Sequence, residues 1–97
     1  AFHCYAPVNA QERAQQLKLW EQQSAKLQQT QLFIETPYRN NAMYQSLIDT
    51  LKPNTRLCIA RALTSEHEWI QTHRIMEWKK LSAPDLDKLP TLFLFLT

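Results

Sequence analysis

Glycine is absent from all 97 residues, where ordinary usage of about 7% would place about seven. That absence excludes a class of function. Phosphate and nucleotide cradles need glycine so that the backbone can approach the ligand closely. None can be built within this stretch. A cofactor would have to be held mainly by another segment, or by ordinary backbone along strand ends. Cysteine is nearly as scarce, with Cys4 and Cys58 alone. Nothing else suggests an oxidising compartment, so the pair is read as two free thiols and the location as cytoplasmic. The three histidines are scattered and no C-x-x-C or H-x-x-x-H spacing occurs, which argues against a metal site. Long apolar runs are missing too. The longest, Leu92 to Leu96, has the length of a strand, far below the roughly 20 residues of a membrane span, so no membrane partner is expected. Charge of one sign is lacking as well. Eleven Lys and Arg against nine Asp and Glu leave a net +2, too little to predict nucleic-acid binding by itself.

What remains is the composition of an ordered domain, 44% hydrophobic and 21% charged, at a length that suits one folding unit. Ala1 to Tyr5 reads as a strand with no lead-in, so the sequence is expected to start inside a longer protein. Asn9 fits a helix N-cap, with Glu12 placed for a capping box. Ala10, Ala14, Leu17, Trp20, Ser24 and Leu27 then mark one stripe of a helix ending near Gln29. Gln31 to Glu35 is a short buried strand. Pro37 closes it, because it pushes Thr36 out of the helical region. Asn40 or Asn41 caps a second helix lined by Met43, Tyr44, Leu47, Ile48 and Leu51, which ends before Pro53. Arg56 to Ala62 is a strand covered on both faces, or on one face with small residues on the other. Glu68 to Thr72 has the alternation of a strand with one wet face. Ile75, Met76 and Trp78 lie in a short helix ending near Leu81. Thr91 to Leu96 is a central strand. The order β-α-β-α-β-β-α-β predicts an α/β (α+β) two-layer sandwich, with a mixed sheet of about five strands and about three helices.

Two turns stand out, each just after a buried strand, where ligands of α/β sheets gather. One is Glu35-Thr36-Pro37-Tyr38-Arg39. It groups an acid, an aromatic and a base, although Glu35 and Arg39 could equally form a surface ion pair worth under about 1 kcal/mol. The other is Leu63-Thr64-Ser65-Glu66-His67-Glu68. It offers hydroxyls, an imidazole and carboxylates for acid–base work, or else a solvated connection. Cys58, between Leu57 and Ile59, is read as a small buried apolar residue. The three tryptophans are read as core and rim residues, with no basic cluster beside them to make a base-stacking platform.

Several phrases together resemble the second domain of the tetrapyrrole (corrin/porphyrin) methylase family. Phe2-His3-Cys4-Tyr5-Ala6-Pro7 resembles the family's F-x-G-F/Y-L-P segment. Phe33 to Arg39 is similar to its F/Y-x-E-A/T-P-H/Y-R motif, and Arg61 to Glu68 to its R-E-L-T-K-x-H-E stretch. Leu89 to Leu94 resembles its last strand. The likeness covers nearly the whole of residues 1–97 and is strongest to the branch of small-subunit rRNA ribose 2′-O-methyltransferases. It implies the carboxy-terminal domain of an S-adenosylmethionine-dependent methyltransferase, a homodimer of two-domain subunits with the cofactor in the cleft between domains. The glycine-rich first domain would hold most of the cofactor. By this resemblance Ile34, Glu35, Leu63 and Thr64 face the cofactor, chiefly through backbone. Arg39, His67 and Glu68 point to the acceptor or brace the cleft, and the acceptor is rRNA or a tetrapyrrole. The fragment alone is expected to be inactive, and no catalytic residue is assigned. Two positions depart from the pattern: Cys4 stands where the family has glycine, and Ala62 where it has an acid. A stand-alone protein- or RNA-binding module is the alternative. The enzyme reading requires residues 35–39 and 63–68 to lie side by side on one rim.

Overall fold

In the computed structural model, residues 1–5, 9–35, 39–84, 86 and 89–97 are described. Five strands and three helices follow in the order β1 (Phe2–Tyr5), α1 (Ala10–Leu27), β2 (Gln31–Ile34), α2 (Asn40–Thr50), β3 (Arg56–Arg61), β4 (Trp69–Arg74), α3 (Ile75–Trp78) and β5 (Thr91–Leu96). The sheet runs β1-β2-β5-β3-β4. The chain thus adds its last strand between two earlier ones, and only β1 and β2 pair in parallel. The expected order, the mixed sheet and the two layers are all present.

Alternation along β5 explains the layering. Phe93 and Phe95 point to one face and join Phe33, Leu57 and Ile59 against Leu17, Trp20, Met43, Leu47, Ile75 and Trp78 of the helices. Leu92, Leu94 and Leu96 point the other way and stay half-exposed. The helices therefore cover one face, and small residues soften the other at β3, where Cys58 and Ala60 alternate with Leu57 and Ile59. Cys58 is a free thiol and half-buried, less covered than its apolar neighbours suggest, because no helix among the described residues lies over that face. Trp78 fixes α3 to the sheet by donating its indole N–H to the Leu57 carbonyl at 2.9 Å.

Asn9 caps α1 as expected, its Oδ1 accepting from the amides of Gln11 at 3.0 Å and Glu12 at 3.1 Å. The buried stripe differs in its polar members. Arg13 and Glu21 are buried beside Leu17, Trp20 and Ser24, while Leu27 is 60% exposed. Arg13 donates through Nε to Ser46 Oγ at 2.9 Å. Glu21 Oε2 accepts from the Lys52 amide at 2.9 Å and from Thr55 Oγ at 2.6 Å. These partners lie on or just beyond α2, which only tertiary packing brings to α1. Leu27 sits in the final turn of the helix and gains no cover there. At α2 the N-cap is Arg39, and no side chain caps it. Asn40 is already helical and turns inward, and Asn41 is exposed. β4 begins at Trp69, so Trp69 and His73 lean toward the helix layer while Ile70 and Thr72 face out.

Candidate functional site

The sheet topology decides which strand ends share an edge. β2 and β3 are each antiparallel to β5, so they run in the same direction on either side of it. Their carboxyl ends must then meet the start of β5 along one rim. The register makes this concrete: Leu92 lies opposite Ile34 on one side and opposite Ala60 on the other. With strands about 4.8 Å apart, Ile34 and Ala60 are about 10 Å from each other. The end of β2 and the turn after β3 leave from this shared rim; residues 36–38 of the stretch that the enzyme reading sets beside that turn lie outside the described residues.

Between them lies a concavity of about 530 Å³. β2 contributes Ile34, β3 contributes Ala60, and β5 contributes Thr91 and Leu92, with Leu89 and Pro90 just before them. The far side is Ala62, Leu63, Ser65 and His67 of the second turn. Most of this lining is apolar. Among the described residues, the hydroxyls of Ser65 and Thr91 and the His67 imidazole are its polar side-chain groups, and no Lys, Arg, Asp or Glu lines it. The volume falls in the range of about 300–1,000 Å³ usual for small-molecule sites.

The second turn is held by its own hydrogen bonds. Ala62 has φ 51 and Thr64 has φ 64, both in the left-handed region that favours glycine. The Ala62 carbonyl accepts from the Ser65 amide at 3.1 Å and from Ser65 Oγ at 2.8 Å. Ser65 Oγ accepts in turn from the His67 amide at 3.2 Å. Glu68 Oε1 accepts from the Thr64 amide at 2.8 Å and closes the loop. Arg61 donates through Nε to the His67 carbonyl at 3.2 Å and stands 5.4 Å over the Trp69 ring. The Ala62 amide donates to the Pro90 carbonyl at 2.7 Å, which ties this turn to the entry of β5.

Of the residues singled out in the sequence, Ile34, Leu63 and His67 meet at the concavity. Thr64 and Glu68 stand exposed in the same turn, with Glu68 engaged by the turn itself. Glu35 is 5% exposed and lies just behind the rim, whereas Arg39 is exposed at the N-cap of α2. Thr36, Pro37, Tyr38, Ala6 and Pro7 lie outside the described residues, as does the Cys4 side chain. Ala60, Leu89, Pro90 and Leu92 were not singled out as site residues, although Leu89, Pro90 and Leu92 belong to the phrase that resembles the family's last strand. Their only local signal is position beside a buried strand end. Among the described residues no group of three His, Cys, Asp or Glu could hold a metal ion. No helix among them is long and apolar enough to cross a membrane.

No family model and no curated protein matches this sequence. Among solved structures, the fold is similar to the crystal structure of the methyltransferase CobJ, with a TM-score of 0.54 and 15% identity. The alignment covers 99% of this chain and 41% of that one. The chain therefore has the fold of part of a methyltransferase and spans less than half the length of that neighbour.

Proposed function

We propose that this chain is the carboxy-terminal domain of an S-adenosylmethionine-dependent methyltransferase of the tetrapyrrole methylase type, and forms one wall of its cofactor and substrate cleft. One observation carries the reading. The two phrases that resemble the family's motifs both contribute to the same apolar concavity, one through Ile34 at the end of β2 and the other through Leu63 in the turn after β3. The fold likeness to a methyltransferase over 99% of the chain supports the same reading.

The residues suit such a cofactor. Apolar side chains from β2, β5 and the second turn can cover an adenosyl group and exclude water, which strengthens every polar contact inside. Ser65 and His67 place polar groups at the edge of that wall. Glycine-free backbone at Ile34 to Glu35 and at Leu63 to Thr64 can still offer amide and carbonyl groups along the rim. When bound, the cofactor supplies an electrophilic methyl group on its sulfonium. The domain's share is positioning in a dry cleft. The acceptor is rRNA ribose or a tetrapyrrole and the assembly a cytoplasmic homodimer, both on the strength of the sequence resemblance. His67, Glu68 and Arg39 are the residues nearest to such an acceptor.

Calorimetric titration of the full-length protein with S-adenosylhomocysteine tests this reading. Ile34→Asp and Leu63→Asp are expected to weaken binding about tenfold or more, the equivalent of about 1.4 kcal/mol. Ile70→Asp, on the exposed strand β4, should leave it unchanged. Equal affinity in all three variants, or no binding by the wild type, would refute the assignment and favour a stand-alone binding module.

A further inference from the structure

The Asn40 side chain has an exposure of 0%, at the first position of α2, where water or a cap usually serves a polar residue. Its amide instead reaches across to the chain before β5. Nδ2 lies 3.1 Å from the Leu86 carbonyl, 2.6 Å from the Leu89 carbonyl and 3.1 Å from Thr91 Oγ1. Thr91 Oγ1 itself donates to the Leu89 carbonyl at 3.0 Å, so its hydrogen is spent and its oxygen accepts from Asn40. Two carbonyl acceptors on one side fix which way the amide points. Oδ1 is left buried with no hydrogen-bond partner among the described residues. The contacts that Nδ2 donates, rather than a helix cap, account for the burial of this amide.

Its partners indicate another role. Leu89 and Thr91 line the concavity, and Pro90 between them accepts the Ala62 amide. Ala62 in turn carries the left-handed turn that forms the opposite wall. The chain of contacts runs from Asn40 through residues 89–91 to Ala62, and both walls hang on it.

We propose that Asn40 is a positioning residue of the cleft: its buried amide sets residues 89–91 and, through the Pro90 carbonyl, the turn at 62–68. The identity of the ligand rests on the function proposed above; the coupling itself does not. Asn40→Asp keeps the shape and replaces the donor by an acceptor facing two carbonyls. Asn40→Ala removes it. Ile75→Ala, in α3 at the far end of the sheet, serves as a control that lowers stability without touching this network.

Two measurements on the full-length protein decide the matter. In hydrogen exchange, both Asn40 variants should speed exchange of the 60–68 segment about tenfold while the 69–74 segment is unchanged, and Ile75→Ala should not reproduce that pattern. In titration with S-adenosylhomocysteine well below the melting temperature, the Asn40 variants should bind about tenfold more weakly, and Ile75→Ala should bind as wild type does. Unchanged exchange at 60–68, or a rise spread over the sheet as in the control, would overturn the proposal. So would localised exchange with wild-type affinity in a protein that binds the probe. If the wild type does not bind S-adenosylhomocysteine, the functional assignment falls, and the exchange pattern still decides the role of Asn40.

Discussion

Ile34 and Ala60 stand at one level of the sheet, two strands apart, each opposite Leu92. That relationship follows from β5 entering between β2 and β3, and it brings the end of β2 and the turn after β3, more than twenty residues apart in sequence, to one rim.

Thr64 has φ 64 and a β-branched side chain, a combination disfavoured outside glycine and asparagine. Its side chain is exposed. Thr64→Gly is expected to stabilise the domain by about 0.5–1 kcal/mol, read as a shift in urea midpoint, since relief of the left-handed strain exceeds the added freedom of the unfolded chain. A loss of stability would mean that the turn relaxes to a negative φ in solution.

Glu21 holds the turn after α2 from a buried position on α1. Glu21→Ala leaves the Lys52 amide and the Thr55 hydroxyl without their acceptor. A cost of about 2–3 kcal/mol in denaturant unfolding is expected. Thr55→Val removes only one of the two bonds and should cost less. Equal and small effects from both would place the carboxylate in water.

Burial raises the phenol of Tyr44 above its ordinary value of 10.0. The ring lies edge-on to Trp78 at 6.0 Å. A folded value above the unfolded one favours the neutral phenol in the native state. The resulting stability is complete below pH 10 and is lost as pH rises through the folded value. Thermal melts of wild type and Tyr44→Phe should therefore run parallel up to about pH 9.5. Above that, the wild type should fall more steeply. Parallel curves through pH 11 would show that the phenol is hydrated in the fold.

Much of the architecture was legible in the sequence because its signals are local. Asn9 announces the start of α1, and the unbroken run from Thr91 to Leu96 announces a central strand. The polar core was not legible. Arg13, Glu21 and Asn40 look like surface residues, and their burial depends on partners 31 to 51 positions away. Asn40 in particular reads as a cap, because an asparagine beside a helix start usually caps it. The rim lay between these cases. Each turn could be seen as a strand exit, but only the insertion of β5 makes them neighbours. Local periodicity carries no information about that order.

The most direct test of the account is a crystal structure of the full-length protein with S-adenosylhomocysteine. The ligand is expected in the concavity with atoms within about 4.5 Å of Ile34, Leu63 and Leu92, covered on its other side by a separate domain. Density for the ligand at a different place, with those three side chains turned to solvent, would contradict it.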